Sequence, residues 1–128
     1  MIIFDTLSEL ESYLPAVPLL KHVITIMDRS LPYEESVGEY VCKEESAVTY
    51  QVDAFLTSDK GVSFTVSHGK QAVLIALEGE EIVSSEDSQS AFVMSEGRFI
   101  LLGEGHYKKG MTRSLPEAVK DVIFTFSS

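Results

Sequence analysis

Tryptophan is absent from this 128-residue chain, and cysteine occurs once, at Cys42. A lone thiol rules out an intrachain disulfide and any zinc site built on several cysteines. It fits a reducing, cytoplasmic setting. Cations are scarce: Lys and Arg total 10 against 20 Asp and Glu, a formal net charge of −10. Nucleic-acid binders need clustered cations, and anionic membranes attract polybasic segments, so neither partner is expected. No apolar run approaches the ~18 residues of a membrane span. Met1 to Asp5 lacks the basic start and long apolar core of a signal peptide. There is no Gly-rich phosphate loop, no Ser-His-Asp context and no dinucleotide fingerprint, which argues against nucleotide-dependent chemistry.

What is there is ordinary globular material, 45% hydrophobic and 23% charged. A chain this long forms one domain, 1–128, and can bury about two thirds of its unfolded surface. Residues 6–29 read as helical. Thr6 and Glu9 have capping-box spacing, and Pro15 ends or kinks a first short helix. Ala16, Leu19, Leu20, Val23, Ile24 and Met27 then recur at three- and four-residue intervals, a buriable stripe. Leu31-Pro32-Tyr33-Glu34-Glu35 stops the helix.

From Gly38 the period changes to two. Val48, Tyr50, Val52, Ala54 and Leu56 alternate with polar residues, as do Val62, Phe64, Val66 and His68. Gln71 to Leu77 is apolar on both faces, which suits a covered central strand. A tight turn follows at Glu78-Gly79-Glu80. Further strands fit 80–84, 90–94, 98–102 and 119–126, with breaks at 58–61, 85–89, 96–97 and 103–114. The stretch 84–90 reads as a solvated loop. Many short strands at such spacing make a sandwich or barrel, here over about 38–126.

The order of motifs is also familiar. Leu77-Glu78-Gly79-Glu80, then Gly97-Arg98-Phe99 through Gly105-His106, with His68 upstream, resembles the cupin pattern. Met1-Ile2-Ile3, Leu10-Glu11-Ser12-Tyr13-Leu14-Pro15, Leu31-Pro32, Gly38-Glu39-Tyr40, His68 and Leu77-Glu78-Gly79-Glu80-Glu81-Ile82 together resemble the YhcH/YjgK/YiaL family. That family includes the small subunit of the evolved β-galactosidase and a sialic-acid anomerase. The resemblance implies a mainly β, cupin-like double-stranded β-helix (a jelly-roll barrel) with an N-terminal α-helical segment. It implies a pocket inside the barrel, a divalent, zinc-like metal in several relatives, and mutarotation or isomerisation of a free sugar or sugar acid. Homodimers or an accessory-subunit partner are also implied.

Carried over by position, His68 and His106 match the family's two histidines. Val66, Ala72 and Leu74 replace its glutamate, aspartate and glutamine. Lys120 is kept on the last strand, where Asp121 and Thr125 replace further lysines. The resemblance therefore makes His68 and His106 the acid–base candidates. With Glu104 they are the candidate metal ligands, because a zinc site wants three or four protein donors. Lys120, Lys108 and Gln71 are the candidate sugar contacts. The blander readings stay beside these: His68 as a core-edge histidine, Lys108-Lys109 as a solvated loop, Glu78, Glu80 and Glu81 as a charged hairpin tip, His22 as a solvated helix residue and Cys42 as a buried thiol. The alternative function is a non-catalytic ligand-binding or accessory protein that kept the barrel.

Overall fold

Ala72 to Leu77 is buried at every position. A strand buried on both faces must lie between two layers, and the rest of the chain supplies them. The computed structural model describes residues 2–87 and 89–128; Met1 of the opening motif and Ser88 of the 84–90 loop lie outside them. The strands are β1 (Ile2–Thr6), β2 (Gly38–Val41), β3 (Thr49–Leu56), β4 (Val62–Val66), β5 (Lys70–Glu78), β6 (Glu81–Ser85), β7 (Ala91–Met94), β8 (Arg98–Leu102), β9 (Gly105–Gly110) and β10 (Ala118–Ser127). A 3-10 helix (Leu7–Tyr13), α1 (Leu20–Asp28) and α2 (Leu31–Glu34) lie between β1 and β2.

Two antiparallel sheets form, ordered β1-β8-β5-β10-β3-β2 and β4-β9-β6-β7. The six-stranded sheet is the middle layer. Val73, Ile75, Phe99, Leu101, Val122, Phe124 and Phe126 face the helices and pack with Leu20, Val23 and Ile26. Ala72, Leu74, Ala76, Ile100 and Leu102 face the second sheet and meet Val66, Val83, Met94 and Tyr107. Each large apolar side chain so buried contributes about 1.5–3 kcal/mol. This is the jelly-roll barrel with an N-terminal helical segment that the sequence suggested.

The differences are local. The chain opens with a strand, β1, which pairs with β8 from Ile2–Leu102 to Thr6–Arg98. Thr6 therefore ends a strand, and its side chain makes no helix cap. Its hydroxyl lies 3.2 Å from that of Ser8, and Glu9 accepts from Ser12 instead of reaching back. In α1 the buried side chains are Leu20, Val23, Ile26 and Met27, so Ile26 rather than Ile24 completes the stripe. The most consequential difference is β9, a strand inside the stretch 103–114 that reads as a break.

The barrel is shut on one side and open on the other. The rings of Phe4 and Phe92 meet at 5.3 Å between centroids, joining edge strands β1 and β7. The opposite edges, β2 with β3 and β4, frame a mouth. Gly79 fixes the turn from β5 to β6 with φ +77°, and a Cβ there would lie 2.3 Å from the Ala118 carbonyl oxygen. Gly79→Ala should destabilise the fold by more than about 1 kcal/mol, read as a lowered denaturant midpoint. An unchanged midpoint would show that the turn relaxes freely.

Candidate functional site

The mouth opens into a pocket of about 570 Å³. Side-chain alternation builds it. On β2 and β3 the cross-strand pairs Glu39–Gln51 and Val41–Thr49 share the barrel face. Ile123 and Thr125 come from β10, Ala72 from β5, and Phe64 and Val66 from β4. The floor is apolar: Phe64, Val66, Ala72 and Ile123. The rim carries the polar Glu39, Thr49, Gln51 and Thr125 and the exposed Val41. Phe64 is steadied from inside by stacking on Tyr107, 5.5 Å between centroids. Gln51 Nε2 donates one N–H to Asp53 Oδ1 at 3.2 Å, which leaves the amide oxygen and the second N–H.

Below the floor lies a cluster of charges that the sequence reading did not assemble. Lys109 on β9 is buried, 4% exposed, with its Nζ 2.7 Å from Asp121 Oδ2 and 3.7 Å from Asp53 Oδ2. The ammonium also sits 5.1 Å from the Phe55 ring centre and 5.7 Å from that of Phe64. Asp121 has charge proximity to Lys109 but no aligned hydrogen bond on either oxygen. Glu81 is fully buried, and no donor reaches either of its oxygens. Burial first, and then the Asp121 carboxylate, push its pKa well above the usual carboxylate range, while Lys109 pulls it down. As the neutral acid, Glu81 can donate to Asp121. Three carboxyls thus share one ammonium, and the proton on Glu81 lightens the imbalance.

The expected site residues fall elsewhere. β4 ends at Val66, so His68 lies past the strand with its side chain 94% exposed and Nδ1 2.7 Å from Glu104 Oε2. His106 pairs with Thr65 on the outer face of the four-stranded sheet, its Nδ1 3.3 Å from the Thr65 hydroxyl. His68, Glu104 and His106 do share one shallow depression, but outside the barrel. Among the described residues no group of three or more His, Cys, Asp or Glu is arranged to hold a metal ion. The barrel's own buried carboxylates already enclose Lys109. The residues therefore do not fit the metal that the resemblance implies, and no chemistry is derived through one.

The candidate sugar contacts are displaced by the same alternation. Lys120 stands between the barrel-facing residues of β10, and its Nζ donates to the Tyr33 carbonyl on the helix side at 2.8 Å. Gln71 lies opposite Phe126, on the face away from Ala72. Lys108 shares the outer face with His106, while its neighbour Lys109 turns in. The hairpin-tip reading of Glu81 is corrected: it is the first residue of β6 and points inward beside Val83. The signal available in the sequence was the alternation of Tyr107, Lys108 and Lys109 between Gly105 and Gly110.

No known family matches the chain, and no curated protein does. Solved structures do. A putative ethanolamine utilization protein Q from Salmonella typhimurium aligns at 15% identity and TM-score 0.54, over 73% of this chain and 71% of that one. A cupin protein from Bacteroides fragilis aligns at 7% identity and TM-score 0.57, over 74% and 79%. A cupin-2 domain containing protein from Shewanella frigidimarina aligns at 15% and 0.50, over 83% and 96%. This chain therefore has the cupin fold. At such identities the likeness carries the fold alone. No helix among the described residues is long and apolar enough to cross a membrane.

Glu81 gives this site a pH dependence with a definite sign. Its folded pKa is raised, so the folded state holds its proton as the unfolded state loses it above about 4.5. Stability should fall as pH rises from there through neutrality. Glu81→Gln should remove that slope and raise stability at pH 8 by on the order of 1–3 kcal/mol, measured by thermal unfolding across pH 4–9. Lys109→Met, which strands Asp121, should cost about 3–5 kcal/mol. Parallel pH profiles for wild type and Glu81→Gln would refute a proton held at Glu81.

Proposed function

We propose that the chain binds a free monosaccharide in the mouth of its barrel, as a sugar-handling protein of the YhcH/YjgK/YiaL type. The observation that carries the reading is the pocket itself. Its volume, about 570 Å³, lies in the range of roughly 300–1,000 Å³ that small-molecule sites occupy. A sugar has an apolar C–H face and a rim of hydroxyls. The pocket has an apolar floor of Phe64, Val66 and Ile123 and a polar rim of Thr49, Gln51 and Thr125. With both histidines on the outside, binding is the leading role, whether the protein works alone or as an accessory subunit.

Catalysis of anomerisation or isomerisation is the second reading, and one arrangement favours it. Glu39 stands beside Gln51 on the rim, and a carboxylate there could take the proton of an anomeric hydroxyl. The accessory alternative shares the binding step and lacks turnover.

Titration of labelled protein with glucose or galactose should shift amide resonances of β2, β3 and β4. Gln51→Ala and Phe64→Leu should weaken binding by about 1 kcal/mol, roughly fivefold. His68→Ala and His106→Ala should bind as wild type does. Saturation-transfer NMR on the two anomers separates the readings, since turnover above the spontaneous rate that falls in Glu39→Gln supports catalysis. Shifts confined to the outer depression around His68 would overturn the pocket assignment.

A further inference from the structure

The pocket's charge specifies its ligand more narrowly than its shape does. Among the described residues that line it, Glu39 carries the only formal charge. Gln51, its cross-strand neighbour, gives one amide N–H to Asp53 and keeps its oxygen and its second N–H for the mouth. The rim at this corner therefore offers two acceptors, the Glu39 carboxylate and the Gln51 amide oxygen, beside one spare Gln51 N–H. Behind it, two carboxylates, Asp53 and Asp121, face the single ammonium of Lys109, which is committed at 2.7 Å to Asp121. The lysines that could greet an anion are turned away: Lys120 is bonded to the Tyr33 carbonyl and Lys108 is on the outer face. The whole chain adds a field of net charge −10.

Resting on the monosaccharide reading, we propose that the ligand is an amine-bearing sugar, whose ammonium is held by Glu39 and the Gln51 oxygen while its C–H face lies on Phe64 and Ile123. An ammonium offers three donors and no acceptor, the complement of this corner. A sugar acid would bring a carboxylate to a rim that offers it no cation. An exposed ion pair is worth up to about 1 kcal/mol, so the amine should gain roughly two- to fivefold over its neutral parent.

The test uses the intact chain and three probes: glucosamine, glucose and glucuronate, each titrated by NMR at low salt. Wild type should bind them in that order. In Glu39→Gln the ratio of glucosamine to glucose affinity should fall to near one, and 0.5 M NaCl should shrink it in wild type. Equal affinities for glucosamine and glucose in wild type, or tightest binding of glucuronate, would overturn the inference while leaving a sugar pocket standing. An amine preference that persists in Glu39→Gln would also overturn it. No shift with any of the three would remove the monosaccharide reading and this inference with it.

Discussion

Everything in this molecule depends on a six-stranded sheet that is covered on both faces. Because successive side chains point to opposite sides, each of its strands serves two cores at once. On β10, Val122, Phe124 and Phe126 belong to the helical layer, and Asp121, Ile123 and Thr125 belong to the barrel. A slip of one residue would exchange the two sets and put an aspartate among Leu20, Val23 and Ile26. Register is therefore strongly specified, and it alone decides which polar groups can meet a ligand. Lys120 and Asp121 are neighbours in sequence, yet one reaches the Tyr33 carbonyl and the other the centre of the barrel.

The buried charges are the costly part of that arrangement. Lys109 and Asp121 come from different sheets, and their contact bridges the two layers inside the barrel. Desolvating both charges offsets much of their attraction, so the pair is weak evidence of added stability. Its effect is on specificity of packing: a misregistered β9 would leave the buried Asp121 carboxylate without its ammonium. Glu81 makes the balance tighter, because it is tolerated there only by keeping its proton.

The parts of the fold legible in the sequence are those with a clean period. β8 at 98–102 matches its expected bounds, and β5, β6, β7 and β10 match to within a residue or so. β9 was hidden because it is bounded by glycines and carries two adjacent lysines, which read as a loop. The site suffered from the same gap. With 105–110 taken as loop, nothing placed Lys109 inside, and Asp53 on the polar side of β3 looked solvated. The histidines misled for a simpler reason. Their positions fit a pattern, but whether they enter a barrel depends on where β4 stops and on the parity of His106 against Tyr107, which position alone does not give.

An apolar floor sets how this mouth can hold a molecule. Val66, Ala72 and Ile123 give the mouth an apolar floor, so orientation of a ligand falls to the rim. The rim is carried by β2 and β3, on which Glu39 and Gln51 are exposed. A carboxylate in that position is open to solvent, unlike Glu81 below. The molecule thus holds two kinds of acid within one barrel. The buried one is neutralised by its surroundings and shapes the packing, and the exposed one lines the mouth.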